Sequence, residues 1–525
     1  MLNIDNLTKA IVHSRQLREK YLADSYRPGF HFAMPEDFGL PGDPNGAFYA
    51  NGRYHLMYLY SCRSDGYRWG HISSKDLLHW RAHPDALIPD ELDHGIFSGG
   101  AFLDDDGICY LTYWSLPHEG RGHGGIRIAK SCDPFFEKWE KFSVLALEGT
   151  EFGVIESKNQ KGETAYIACA DPSNIWKKGK KYYMQTGNLI LLKKFKKAGH
   201  YQYTEDEIKN TIVPENIKGD WVDLFESEDL INWKYLHRFY SRKDIWTAEN
   251  EDDMCPSFLP LSKSKNGGKQ SGKYLHLFIS HNRGCQYYIG EYDEKADLFY
   301  PETHGRMSWV DNSFFAPEAL VDGQGRQIMW SWIQDNPADE TENGWSGIFC
   351  MPRTLWLLDD NTLGIAPVSE FESLRYNSKK FNRYEPENGK MRLDGINGTS
   401  CEIKIIAEVS CGEVGLYVRA SDDLAEYVKI SYCHEDKKLV FDSRNGGTLG
   451  RPVLERAPFE LKQGEKLEMT VFIDKNVIEA FVNDRQAIAR RAYPKNESDG
   501  VFVFSTGKAK VEDITVHEID TTNFY

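Results

Sequence analysis

Gly52-Arg53-Tyr54-His55-Leu56-Met57-Tyr58 carries the fold of this chain in miniature: a glycine, then aromatic and aliphatic residues in alternation. A glycine that accepts a tight turn, followed by side chains of period two, is what a half-buried strand after a hairpin requires. The signature returns at Gly107 to Tyr113, Gly179 to Met184, Gly272 to Phe278 and Gly325 to Trp332, five occurrences that imply five sheets. A second repeat interleaves with it: Ser74-Lys75-Asp76-Leu77 with Trp80, Ser131-Cys132-Asp133-Pro134 with Trp139, and Ser227-Glu228-Asp229-Leu230 with Trp233. Many short strands with a recurring Asp and Trp per unit point to an all-β fold with the radial packing of a β-propeller.

The innermost strand of each propeller blade lines a central channel, so carboxylates just ahead of the glycine signature belong near the funnel wall. Asp43 lies in Pro41-Gly42-Asp43-Pro44-Asn45-Gly46, Asp171 in Cys169-Ala170-Asp171-Pro172, and Glu318 in Phe315-Ala316-Pro317-Glu318. The fourth unit has the acidic run Glu249-Asn250-Glu251-Asp252-Asp253 directly before Met254-Cys255-Pro256, and the second presents Phe97-Ser98-Gly99-Gly100. Carboxylates converging from separate blades repel one another and shift their pKa values, a cost that marks an active site.

With 525 residues, 41% of them hydrophobic, the chain is long enough for two domains with ample cores. No apolar run approaches the ~20 residues that span a bilayer. A formal charge of −16 argues against a nucleic-acid surface and is compatible with a neutral substrate such as a sugar. Aromatic residues, 13% of the chain, suit both blade cores and the apolar faces of sugars. The ten cysteines show no CxxC pair or metal-ligand spacing and read as mostly buried free thiols. The first residues form an amphipathic helix carrying Lys9, Arg15, Arg18, Glu19 and Lys20, without the apolar stretch of a secretory signal, so the chain as given is expected to be cytoplasmic.

The repeats end near Asn361, and after Leu374 evenly spaced alternating strands take over, among them Gly415 to Arg419, Tyr427 to Tyr432, Leu467 to Ile473 and Val477 to Val482. That spacing predicts a C-terminal β-sandwich that braces the propeller. The expected division is a helical extension over 1–25, a five-bladed propeller over 26–370 and a sandwich over 371–525. A lysine-rich insertion between Gly187 and Gly219, with Lys193, Lys194, Lys196 and Lys197, reads as a solvated excursion or a loop narrowing the funnel mouth, and Ser262 to Gly272 as a hairpin tip.

Tyr26-Arg27-Pro28-Gly29-Phe30-His31-Phe32, Gly42 to Gly46, Trp69-Gly70-His71, Asp76-Leu77-Leu78-His79-Trp80, Phe97-Ser98-Gly99, Ala170-Asp171-Pro172, Cys255-Pro256 and Pro352-Arg353 occur in order. Together with Val471 to Asp474 and Phe481 to Asp484 they make the chain resemble glycoside hydrolase family 32, the invertase, inulinase and levanase family, over nearly its whole length. The resemblance implies a five-bladed propeller with a C-terminal β-sandwich, no metal or organic cofactor, and an oligo- or polysaccharide substrate. It makes Asp43 the nucleophile and Asp171 the carboxylate that stabilises the transition state through the sugar hydroxyls. It also makes Trp69, Phe97, Ser98 and Glu318 substrate contacts, although Trp69 and Phe97 equally suit a core. A retaining enzyme places nucleophile and acid roughly 5 to 5.5 Å apart.

The family's usual Glu-Cys-Pro reads Met254-Cys255-Pro256 in this chain, and methionine donates no proton. The acid is therefore expected from the upstream run, with Glu251 first for its longer arm and higher intrinsic pKa and Asp252 second. The usual Asn before the nucleophile is Gly42, the usual Gln of the Tyr-Gln-Tyr segment is Leu59, and the Arg before the stabiliser is Ala170. His281-Asn282-Arg283-Gly284-Cys285 offers replacement polar contacts. The expected activity is exo-acting, retaining release of a terminal furanosyl residue, foremost β-fructofuranosyl. The alternatives are fructosyl transfer, an arabinofuranosidase-like hydrolase and a sugar-binding propeller that has lost its acid.

Overall fold

The structure, a computed structural model, describes residues 4–33, 39–62, 66–150, 153–158, 162, 164–190, 213, 215–240, 246–334, 345, 347–385 and 389–523. The lysine-rich run at 193–197 lies outside the described residues. Five antiparallel meanders follow one another along the chain, one for each blade of a five-bladed β-propeller. The first comprises Gly39–Ala50, Arg53–Cys62, Tyr67–Ser74 and Trp80–Leu87, and the second is built on Ala101–Leu103, Cys109–Leu116, Gly125–Ser131 and Glu140–Lys141. The third runs Ala170–Pro172, Lys181–Gly187, Asp223–Ser227 and Trp233–Arg238. Met254–Ser262, Gln270–Ser280, Gly284–Asp293 and Leu298–Arg306 make the fourth, and Phe314–Val321, Gln327–Ile333, Arg353–Leu357 and Leu363–Pro367 the fifth.

Both sequence repeats have a local cause. The recurring glycines all occupy the left-handed region, with φ of 72° at Gly52, 82° at Gly107, 60° at Gly179, 89° at Gly272 and 80° at Gly325, where a side chain would be strained. The recurring aspartate closes the turn between the third and fourth strands. Asp76 Oδ1 accepts the backbone N–H groups of Leu78 and His79 at 3.0 and 2.9 Å, and Asp229 Oδ1 those of Ile231 and Asn232 at 2.9 and 2.7 Å. The tryptophan that follows ties its indole N–H to the same turn, Trp233 to Leu230 O at 3.1 Å and Trp139 to Phe136 O at 2.8 Å.

The innermost strands carry a further shared device. Asp171, Cys255 and Ala316 each precede a proline and each has a positive φ, of 31°, 50° and 48°. The register slips between Ala170 and Pro172 and again between Met254 and Ser257, so the chain kinks at these points and re-aims the side chain. Such conformations cost on the order of 1–3 kcal/mol each and persist where the surroundings impose them. Side chains stitch neighbouring blades together at this level. Asn45 donates to Asp43 O at 3.0 Å and accepts from Gly99 N at 3.1 Å, Thr112 donates to Ser173 O at 2.8 Å, and Asn174 donates to Phe258 O at 3.1 Å.

Residues 41–332 and 352–368 form one compact unit, and 1–40, 333–351 and 369–525 form the other. Within the second unit, two six-stranded antiparallel sheets make the sandwich, with Ser400–Val409 lying between Leu467–Asp474 and Ala509–Ile519 in one of them. The segment around His31 belongs with this unit because Asp474 accepts the backbone N–H groups of Gly29, Phe30 and His31, and the imidazole bridges Asp474 at 2.9 Å and Glu479 at 3.1 Å. Burial alone would push His31 down, but the two carboxylates outweigh it and raise its pKa to about 9. The helix Ile4–Ala23 buries only Tyr21. Among the described residues no helix is long and apolar enough to cross a membrane. The described cysteines form no disulfide, and Cys109, Cys169, Cys285, Cys350 and Cys401 are buried.

Candidate active site

Four side chains, one from each of the first four blades, meet at one point of the propeller unit. The Cys255 thiol lies 3.3 Å from Asp171 Oδ2 and 3.8 Å from Asp43 Oδ2, so one sulfur touches carboxylates from the first and third blades. Ser98, from the second blade, donates its hydroxyl to Asp43 Oδ2 at 2.5 Å. The strand irregularity at Asp171 and the positive φ at Cys255 are what turn both side chains toward this point.

The electrostatics follow from burial. Burial first, then the charge of Asp43, pushes the Asp171 carboxyl up to about 7. Asp43 is also raised by burial, and the Ser98 hydroxyl, the charge of His281 and the Cys255 thiol pull it partly back. Two carboxylates this close titrate as a unit. Burial and both carboxylates push the Cys255 thiol well above its ordinary value, so it remains a neutral S–H and not a thiolate nucleophile.

The other expected site residues divide. Glu251 does not join the pair. Its Oε2 accepts from Arg306 Nη1 at 2.8 Å and from Gln286 Nε2 at 3.1 Å, and its Oε1 from Arg306 Nη2 at 2.8 Å and Ala248 N at 2.9 Å. Burial would raise its pKa, but Arg306 outweighs burial and leaves it below the ordinary value, the wrong direction for a proton donor. Asp252 accepts the His281 backbone N–H at 2.8 Å on Oδ1 and the imidazole Nδ1–H at 2.5 Å on Oδ2. Asp253 is taken up by Tyr240 at 2.8 Å and His276 at 2.7 Å, and exposed Glu249 by Lys218 at 2.8 Å. Met254, at the position of the family's usual Glu, is buried in the strand and pairs with Ile279.

Trp69 is fully enclosed in the core of the first two blades, its indole N–H on Phe97 O at 3.2 Å and its ring against Tyr113, so it supports the wall from behind instead of forming it. Phe97 is partly buried against Tyr67 and Trp114. Glu318 accepts Ala47 N–H at 2.7 Å and so holds the first-blade strand, and burial lifts its pKa well above the ordinary range. His281, which the sequence offers only within a run of replacement polar contacts, is a further participant at this point. Burial would lower its pKa, but Asp252, Asp171 and Asp43 together raise it. Among the described residues no group of three or more His, Cys, Asp or Glu side chains is arranged to hold a metal ion.

The family model for the glycosyl hydrolases family 32 N-terminal domain matches residues 31–211 and 201–367, and that for the family 32 C terminal matches 370–518. The chain belongs to glycoside hydrolase family 32. Among family 32 relatives, a fructan 1-exohydrolase of Aegilops tauschii is 26% identical across 93% of this chain and 86% of its own length. An insoluble β-fructofuranosidase isoenzyme of Oryza sativa subsp. japonica is 25% identical across 94% and 88%. The crystal structure of fructan 1-exohydrolase IIa from Cichorium intybus superposes with a TM-score of 0.78 at 22% identity, covering 95% of this chain and 98% of that one. Sucrose-6-phosphate hydrolase from Lactobacillus gasseri gives 0.74 at 20% identity, covering 97% and 96%. These structures share the fold of this family 32 chain, a propeller followed by a sandwich.

Proposed function

We propose that this family 32 chain is a retaining, exo-acting glycoside hydrolase that removes terminal β-fructofuranosyl residues from oligo- or polysaccharides, with Asp43 as nucleophile and Asp171 as stabiliser. The observation that carries the proposal is the pair of carboxylates from two blades that share the Cys255 thiol, with Asp43 aligned by Ser98. A nucleophile must be ionised and fixed, and a short hydrogen bond from a buried hydroxyl fixes Asp43 and favours its ionised form against the burial that raises it. The stabilising carboxylate need not be ionised to hold a sugar hydroxyl, so the raised pKa of Asp171 suits that role. The relatives named above are fructan exohydrolases and β-fructofuranosidases, which supports the same sugar.

One observation favours a second reading, a sugar-binding propeller without turnover: Met254 occupies the place of the family's acid. Release of sugar from 1-kestose, inulin, sucrose and an aryl arabinofuranoside, with wild type beside Asp43→Asn, separates the two. Fructose release that Asp43→Asn abolishes is the expected result. Arabinose release in its place would move the specificity to another furanoside, and sugar binding without release would make this a binding module.

A further inference from the structure

Once Glu251 is paired with Arg306, the reaction still needs a group to protonate the leaving oxygen. We propose, on the hydrolase reading above, that His281 is the general acid and base of this enzyme and that Asp252 is its positioning residue.

The blade register explains how the two come together. Met254 pairs with Ile279 across the fourth-blade hairpin, so one step of two residues toward the site on each strand sets Asp252 opposite His281. Asp252 grips the histidine at both its backbone N–H and its Nδ1–H, at 2.8 and 2.5 Å. Asp252 is itself fixed, its carbonyl accepting the Ser280 hydroxyl at 2.6 Å, while Asn312 donates to His281 O at 2.8 Å and the Phe315 ring lies 5.8 Å from the imidazole. A carboxylate on Nδ1 makes Nε2 the atom that exchanges a proton, and the charges of Asp171 and Asp43 both act on this ring. The charged groups acting on the imidazole are thus Asp252 from its own blade, Asp171 from the third and Asp43 from the first, with the neutral Phe315 ring beside it and Asn312 held on the His281 backbone carbonyl. The carboxylates around this buried ring raise its pKa, the direction an acid needs.

In the first step Asp43 attacks the anomeric carbon, the bond to the leaving oxygen breaks, and the Nε2 proton passes to that oxygen, giving a fructosyl ester, a free alcohol and a neutral imidazole. In the second, Nε2 takes a proton from water as the water oxygen attacks the anomeric carbon. The ester bond breaks, and the Asp43 carboxylate and the imidazolium are restored. This gives the chain, by another residue type, the proton that Met254 cannot supply.

The test compares His281→Gln and Asp252→Asn with wild type on 1-kestose, whose leaving alcohol needs protonation, and on p-nitrophenyl β-fructofuranoside, whose leaving group does not. His281→Gln is expected to lose about 10²- to 10⁴-fold in kcat on 1-kestose. It should keep rapid release of nitrophenol in the first turnover, lose the basic limb of the pH profile, and recover turnover of the aryl substrate with azide. Asp252→Asn should keep the basic limb but move it to lower pH, because a carboxylate that favours the imidazolium is gone, and this readout stands even where His281→Gln fails to fold. An unchanged kcat with raised KM, or equal losses on both substrates with the basic limb intact, would overturn the assignment while leaving the hydrolase reading in place. Absence of wild-type turnover on both substrates would overturn both.

Discussion

Replacing Asp171 with asparagine should stabilise the propeller while destroying its activity. In the folded chain the Asp171 carboxyl is almost completely buried beside Asp43, and its pKa rises from the ordinary 3.8 to about 7. The folded state therefore binds its proton more tightly than the unfolded state does. Stability from this group is present below the unfolded pKa and is lost as pH rises through about 7. Integrating over that window gives a penalty of roughly 1.5 kcal/mol at pH 5 and roughly 4 kcal/mol at pH 8. Asparagine keeps the shape and an acceptor for Cys255 but carries no charge, so it escapes the penalty. The gap between variant and wild type should thus widen by roughly 2.5 kcal/mol from pH 5 to pH 8, or about 4 °C in the melting of the propeller unit. Differential scanning calorimetry at the two pH values, with fructose release measured in parallel, makes the comparison. An Asp171→Asn variant that melts below wild type at pH 8, or with the same gap at both pH values, would refute the buried carboxylate pair as described.

Three further outcomes are expected. Glu251→Gln leaves Arg306 without its bidentate partner and should cost about 3 kcal/mol in stability, seen as a lower melting temperature, while kcat on 1-kestose stays within roughly threefold of wild type; a loss of kcat of about 10²-fold at unchanged melting temperature would instead make Glu251 the acid. Ser98→Ala removes a hydrogen bond that favours ionised Asp43, so the acidic limb of the kcat/KM profile should move to higher pH, and a limb that stays put would count against the Ser98–Asp43 contact. In the sandwich unit, His31 carries stability that is full below pH 6.5 and lost as pH rises through about 9; wild-type melting temperature should fall across that window, and His31→Gln should flatten the fall.

The fold was legible because each blade repeats the same local solution, and a glycine forced into the left-handed region or an aspartate closing a turn leaves its mark wherever it recurs. Asp43 and Asp171, read from the sequence as carboxylates ahead of the glycine signature, are brought to one thiol by the strand irregularities. What the sequence concealed is pairing at a distance. Glu251 ranked above Asp252 as an acid on its intrinsic chemistry, yet Arg306, 55 positions along the chain, closes over it. Asp252 and His281 are 29 positions apart, and only the hairpin register that sets Met254 against Ile279 brings them together. That register was the available signal: counting back from the two strands places His281 opposite the acidic run. Trp69, which the sequence left open between sugar platform and core, is wholly used as core.

The most direct test of the account is the anomeric configuration of the first fructose released from a β-fructoside, followed by NMR before the anomers equilibrate. Attack by Asp43 and then by water inverts the anomeric carbon twice, so β-fructofuranose should appear first and α-fructofuranose only later. Initial release of the α-anomer would show a single displacement by water and contradict Asp43 as nucleophile.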